Sequence, residues 1–244
     1  MNLGIVPDKA DFSVSPDGTQ LIYTIFEDCQ ERRCMPAGGY CILGNCPVWW
    51  ARSDGTERIL LGSTPTPGTV AYWSPQGDWA IVFSWDEAGG VWGYLARVDG
   101  TYWGRIEEFA GLKDAFACVV PPSFSPDGAW VVVDAQSATS DCACAIWVVN
   151  LNDRSTIELA GGRECTRGPV SWSTDSQYLH LLQSGRLYRF SASSHFAQWT
   201  VLAEGILYSN APDEIAVSPN ETMVALGNMG VNRDLVIVQF APGE

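Results

Sequence analysis

Five times along the chain, an apolar or alternating run breaks at a serine-led polar turn and resumes as a second apolar run. The copies are FSVSPDGTQLIYT from Phe12, AYWSPQGDWAIVF from Ala71, PSFSPDGAWVVVD from Pro122, VSWSTDSQYLHLL from Val170 and IAVSPNETMVALG from Ile215. The runs alternate or stay apolar and are rich in Val, Ile, Trp and Tyr, as half-buried and fully buried strands are. Ser-Pro-Asp-Gly between them supplies a preset proline φ, an aspartate that bonds back to nearby N–H groups, and a glycine free to take positive φ. Each copy therefore predicts a tight β-hairpin.

A second pair of strands follows each hairpin, most plainly in VWWARSDGTERILLG (48–62), VWGYLARVDGTYWGRIEEF (91–109) and AIWVVNLNDRSTIELAG (145–161). The turn serines are Ser15, Ser74, Ser125, Ser173 and Ser218, so the spacings are 59, 51, 48 and 45 residues. A period of roughly 40 to 50 residues marks a repeat architecture. Four antiparallel strands repeated radially make a β-propeller. The expected blades cover 12–62, 71–111, 122–161, 170–204 and 215–240, so the 244 residues form one all-β domain.

Composition narrows the function classes. Apolar residues are 46% and charged residues 17%, which suits a chain that buries a core. The net charge of -14 opposes binding to the phosphate backbone of nucleic acid or to an anionic membrane. No apolar run approaches the roughly 18 residues of a membrane span, so membrane insertion is not expected. The first dozen residues, MNLGIVPDKADF, lack the basic and long apolar segments of a signal peptide. If the protein is exported, its signal is expected to have been removed.

The eight cysteines point to export. Four lie in CQERRCMPAGGYCILGNC (29–46), an insertion between the second and third strands of the first blade that accounts for the longest spacing. Cys29 and Cys46 flank it at the ends of antiparallel neighbours, so nested bridges Cys29–Cys46 and Cys34–Cys41 are expected. Gaps of four, six and four residues do not match the paired short spacings of a structural zinc site. Cys118, Cys142, Cys144 and Cys165 fall at loops of the third blade on the same face, and two further bridges are expected among them, with the pairing left open. The compartment expected is secreted, cell-surface or periplasmic.

SFSPDGAWVVV, YWSPQGDWAIVF and SVSPDGTQLIY, followed by LARVDGT and ARSDGTE, resemble the WD-like repeats of TolB-type β-propellers over nearly the whole chain. That resemblance implies the fold. It leaves function open, because such propellers serve as periplasmic translocation components, peptidase gating domains and surface-binding modules. The family often has six or seven blades, whereas five repeats are counted here. The fifth lacks an outer strand, which NLGIV (2–6) is expected to supply, closing the ring. Two turns depart from the pattern: WSTDSQ has lost the proline and glycine, and VSPNET the glycine.

No nucleophile elbow, zinc-protease helix, phosphate loop or dinucleotide fingerprint occurs, and only His180 and His195 are present. His180 occupies the position filled by Ile22, Ile81, Val132 and Ala225 in the other copies, which predicts a histidine buried between blades; His195 is expected in solvent. The acidic residues Asp11, Asp86, Glu87, Asp134, Asp141, Asp213 and Glu214 are the candidates for a glycosidase pair and do not recur at a spacing that names two partners. Trp49, Trp50, Trp85 and Trp92, with Tyr40, fall near the cysteine-bearing face and form the candidate binding patch. The reading that follows is a non-catalytic extracellular binding or assembly module for a protein or glycan, without cofactor or metal. A polysaccharide-active enzyme and a subunit of a homo-oligomer or larger assembly are the alternatives.

Overall fold

The computed structural model describes residues 10–34, 41–65, 70–85, 91–112, 122–135, 145–159, 168–206, 214–227 and 235–240. They divide into two compact units, Met1–Val119 and Val120–Glu244.

The first unit holds two four-stranded antiparallel sheets. Blade 1 runs β1 (Ala10–Val14), β2 (Gln20–Ile25), β5 (Cys46–Arg52) and β6 (Arg58–Thr64), with a separate hairpin, β3 (Glu31–Cys34) and β4 (Cys41–Gly44), inserted after β2. Blade 2 runs β7 (Val70–Trp73), β8 (Trp79–Trp85), β9 (Val91–Arg97) and β10 (Trp103–Arg105). One shared core joins them: Ile22, Val48, Trp50 and Leu61 meet Ala80, Val82, Tyr94 and Ala96.

The second unit holds blade 3, with β11 (Ser123–Phe124), β12 (Trp130–Ala135), β13 (Ala145–Asn150) and β14 (Thr156–Glu158). Blade 4 has β15 (Val170–Trp172), β16 (Tyr178–Gln183), β17 (Arg186–Ser191) and β18 (Trp199–Ala203). Blade 5 has three described strands, β19 (Glu214–Val217), β20 (Met223–Gly227) and β21 (Leu235–Gln239). Val132, Ile146 and Val148 meet Leu179, Tyr188 and Phe190 between blades 3 and 4, and Leu182 and Leu187 meet Ile215, Val224 and Leu226 between blades 4 and 5.

The repeated turn is built by its serine. In each copy the serine Oγ accepts from the backbone N–H five residues on, at 2.9–3.0 Å (Gln20, Trp79, Trp130, Tyr178 and Met223). The same hydroxyl donates to a side chain within the turn, Asp17 at 2.6 Å, Asp127 at 2.5 Å, Asp175 at 2.7 Å and Asn220 at 2.8 Å. In blade 2 the third position is glutamine, and Asp78 takes the bond at 2.8 Å. Serine and acid thus lock the turn from inside, leaving the fourth position to adopt the left-handed conformation.

Two expectations change in detail. The apolar pattern predicts a second strand pair of blade 2 continuous to Phe109, but β10 ends at Arg105 and a short helix, α1 (Ile106–Ala110), follows. Its Ile106, Phe109 and Ala110 are buried at helical spacing, with Glu107 and Glu108 in the first turn and Gly111 (φ 66°) closing it. The insertion after β2, read as a loop, is itself a two-stranded hairpin. The expected closing strand at 2–6 lies outside the described residues, as do Cys118, Cys142, Cys144 and Cys165.

Candidate functional site

The first candidate is the inserted hairpin. A disulfide joins Cys29 to Cys46 at its root, with the two Cα atoms 4.1 Å apart. Immediately above, Gln30 N–H donates to the Asn45 carbonyl at 3.4 Å, and Asn45 Nδ2 donates to Gln30 Oε1 at 2.9 Å. β3 and β4 then pair in antiparallel register with Cys34 opposite Cys41. The expected second staple is therefore placed across from its partner in register; the side chains of 31–34 and 41–44 lie outside the described residues.

The aromatic residues proposed to share this face are divided by the pleat of blade 1. Trp50 is 6% exposed in the core against blade 2, its indole N–H donating to Gln20 Oε1 at 2.7 Å. Trp92 packs against that same core, with the Arg105 guanidinium 3.8 Å over its ring. Trp49 stands on the opposite face in a cross-strand row, Phe12, Tyr23, Trp49 and Leu60. The Arg58 guanidinium covers the Trp49 ring at 3.6 Å and reaches the Asp28 carboxylate at 3.8 Å. In that row Phe12 is 59% and Leu60 52% exposed. Trp85 ends β8 with its side chain outside the described residues, and Tyr40 lies outside them altogether. The structure thus does not bring Trp49, Trp50 and Trp92 onto one surface.

A second cluster, which the sequence reading did not assemble, sits where the turn of blade 5 meets blade 4. His180 is buried at 1% exposure and lies beside Arg189 in the β16–β17 register. Its Nδ1 faces the Ser171 carbonyl at 3.3 Å and its Nε2 faces Glu221 Oε1 at 2.9 Å. Arg189 Nη1 donates to the other carboxylate oxygen of Glu221, and its guanidinium lies 4.7 Å over the Tyr178 ring. Beside the cluster is a cleft of about 220 Å³ lined by Ser173, Asp175, Tyr178, His180, Asn220 and Glu221, among others. Ser173 Oγ–H, then the Gln177 N–H, hold the Asp175 carboxyl below the ordinary aspartate range. His195 is exposed with φ 51°, as expected for a turn.

Of the acidic residues weighed as catalytic, Asp134 is buried at 2% exposure in β12, whereas Asp11 and Glu214 are exposed on the first strands of blades 1 and 5. Asp86, Glu87, Asp141 and Asp213 lie outside the described residues. Among the described residues, no three His, Cys, Asp or Glu side chains gather as metal ligands, and no helix is long and apolar enough to cross a membrane.

Sheets of this kind recur in solved structures. One of TolB from Acinetobacter baumannii matches 95% of this chain at 16% identity with a TM-score of 0.51. The fold is that of a TolB-like β-propeller. The chain spans about half the length of that TolB, 52% of it. An oligogalacturonate lyase in complex with manganese matches 97% of this chain and 67% of its own at 14% identity, TM-score 0.59. A eukaryotic initiation factor matches 96% of this chain and 53% of its own at 12% identity, TM-score 0.59. At these identities the likeness speaks of fold alone. No family model and no curated protein matches the sequence.

Proposed function

We propose that this chain is a non-catalytic recognition or assembly module of an oxidising compartment outside the cytoplasm, and that it holds a protein or glycan partner through the stapled hairpin of blade 1. The observation that carries the reading is the disulfide at the root of that hairpin. A two-stranded hairpin standing apart from a sheet is marginally stable in water by itself. Cross-linking Cys29 to Cys46 restricts its ends before any partner arrives, so less ordering entropy remains to be lost on binding. The staple anchors the root of an element that joins no blade to blade 1 at buried Cys46.

The test replaces residues 30–45 with an Asn-Gly turn and compares the shortened and full chains on an immobilised glycan panel and a panel of cell-surface proteins. The full chain is expected to retain a ligand that the shortened chain releases, with far-UV circular dichroism unchanged. Equal retention by both chains refutes the hairpin as the recognition surface. Turnover of a glycan on the same panel, lost on an Asp134→Asn substitution, would replace this reading with the polysaccharide-active one.

A further inference from the structure

The fourth residue of the repeated turn is Gly18, Gly77, Gly128, Ser176 or Glu221, and φ there is 74°, 70°, 71°, 61° and 52°. The two residues that are not glycine are the two turns whose sequence departs from the motif, and both side chains reach the preceding blade. Ser176 Oγ accepts from the Asp127 N–H at 2.9 Å, and Glu221 meets His180 and Arg189. Ser176 thus meets the turn of the preceding blade, whereas the longer Glu221 side chain reaches one residue of its second strand and that residue's register partner on the third. The register pair of β16 and β17 that Glu221 meets is His180 and Arg189; the equivalent pairs are Ile22 and Trp50 in blade 1 and Val132 and Val148 in blade 3. These two equivalent pairs lie in apolar cores shared with the next blade. Three positions therefore differ together in the joint between blades 4 and 5: a histidine and an arginine stand where blades 1 and 3 have apolar residues, and the turn residue is a glutamate that bonds both.

We propose that the joint between blades 4 and 5 is a proton-operated latch, closed by the Glu221 carboxylate on His180 and Arg189. Both ring nitrogens of His180 face oxygen acceptors, the Ser171 carbonyl and Glu221 Oε1. A neutral imidazole carries one N–H and serves only one of them; the imidazolium serves both. The groups that set the local field are Glu221 from the blade 5 turn, Arg189 from β17, Asp175 from the β15–β16 turn, and Tyr178 at the start of β16. The sign follows from the donor count. The latch is closed while His180 carries both protons. It weakens as rising pH removes one, because the neutral ring then donates to only one of its two acceptors. It opens again in acid when Glu221 is protonated and two cations face a neutral carboxyl. As a purely structural contact this arrangement is a poor choice, since well-packed apolar residues generally serve as well as a buried ion pair. The neighbouring joint is made that way.

The chain has only two histidines, so ¹⁵N-histidine labelling of the full protein resolves His180 with exposed His195 as internal reference. Amide protection factors of β19 and β20 are measured over the same pH series. In the wild type, His180 is expected to show two exchange-protected ring N–H signals, and protection of β19 and β20 to fall on the order of tenfold as the second signal is lost. Glu221→Gln is expected to remove the two-proton form at a pH where the wild type has it. The combined variant His180→Val, Arg189→Val and Glu221→Ser rebuilds the blade 3–4 type of joint; it is expected to fold with protection independent of pH. A single N–H on wild-type His180 throughout, or protection that stays constant while its proton is lost, overturns the proposal.

Discussion

Replacing Glu221 with glycine separates two readings of the same turn by the sign of the result. Glu221 holds φ 52°, a left-handed conformation that costs a residue with a side chain about 1 kcal/mol relative to glycine. On backbone grounds alone, Glu221→Gly is neutral or stabilising. The substitution also removes the carboxylate from His180, 1% exposed, and from Arg189, whose side chain is 30% exposed. Stripping the partner from a fully buried pair costs about 3–5 kcal/mol. Glu221 itself retains 21% exposure, so water enters the vacated space and a loss of about 2–3 kcal/mol is the better figure. The net expectation is a destabilisation of about 1–2 kcal/mol, read as a urea midpoint lower by about 0.5–1 M with an unchanged slope. Ser176→Gly serves as the control. It relieves similar strain and loses one hydrogen bond from Asp127 N–H, so the two effects of about 1 kcal/mol offset each other. A Glu221→Gly midpoint equal to or above wild type would refute the argument that the contact outweighs the strain.

Two further substitutions test the packing and the turns. A methyl group at Gly62 in β6 would sit 2.3 Å from Trp103 Nε1, and that indole is held by stacking on Tyr94 at 5.2 Å, so Gly62→Ala is expected to destabilise by about 1–3 kcal/mol in thermal melts; an unchanged melting temperature would show that the blade 1–2 contact is loose. Asp17 accepts from Ser15 Oγ, Thr19 N–H and Thr19 Oγ, which together hold its carboxyl down to about 2. A depressed carboxyl contributes stability above its unfolded range, near 4, and loses that contribution as pH falls through about 2, so Asp17→Asn should flatten the acid limb of the melting temperature between those values. Parallel limbs for both proteins would show that the turn bonds do not survive into the acid transition.

The hairpins were legible because each turn carries its own instructions. Ser125 and Asp127 fix one turn by contacts within six residues, and Val131 and Val133 alternate with Trp130 and Val132 in the strand that follows. The root of the cysteine hairpin was legible for the same reason: Cys29 and Cys46 flank antiparallel neighbours, and the register alone brings them together. The patch of tryptophans was not. Trp49 and Trp50 are adjacent in sequence, so a strand must send them to opposite faces, and a reading by proximity to the cysteine loop ignored that alternation. Ile106–Ala110 was read as strand because the apolar run before it was, although its helical spacing and the glycine at 111 were in the sequence.

The latch was hidden for a different reason. His180 was correctly placed between blades by its alignment with Ile22 and Val132, but its partners are nine and 41 residues away on other elements. Taken alone, VSPNET shows only that the glycine of the motif is missing at 221. Considered with the facing pair, Glu221 is the residue that makes a histidine and an arginine tolerable at an apolar joint. A useful rule for repeat chains follows from these positions: a departure at a left-handed turn residue should be examined together with the two strand residues of the preceding repeat. Where all three have changed, as with His180, Arg189 and Glu221, compensation across the joint explains the departure; where only one has changed, as with Ser176, a single hydrogen bond is enough.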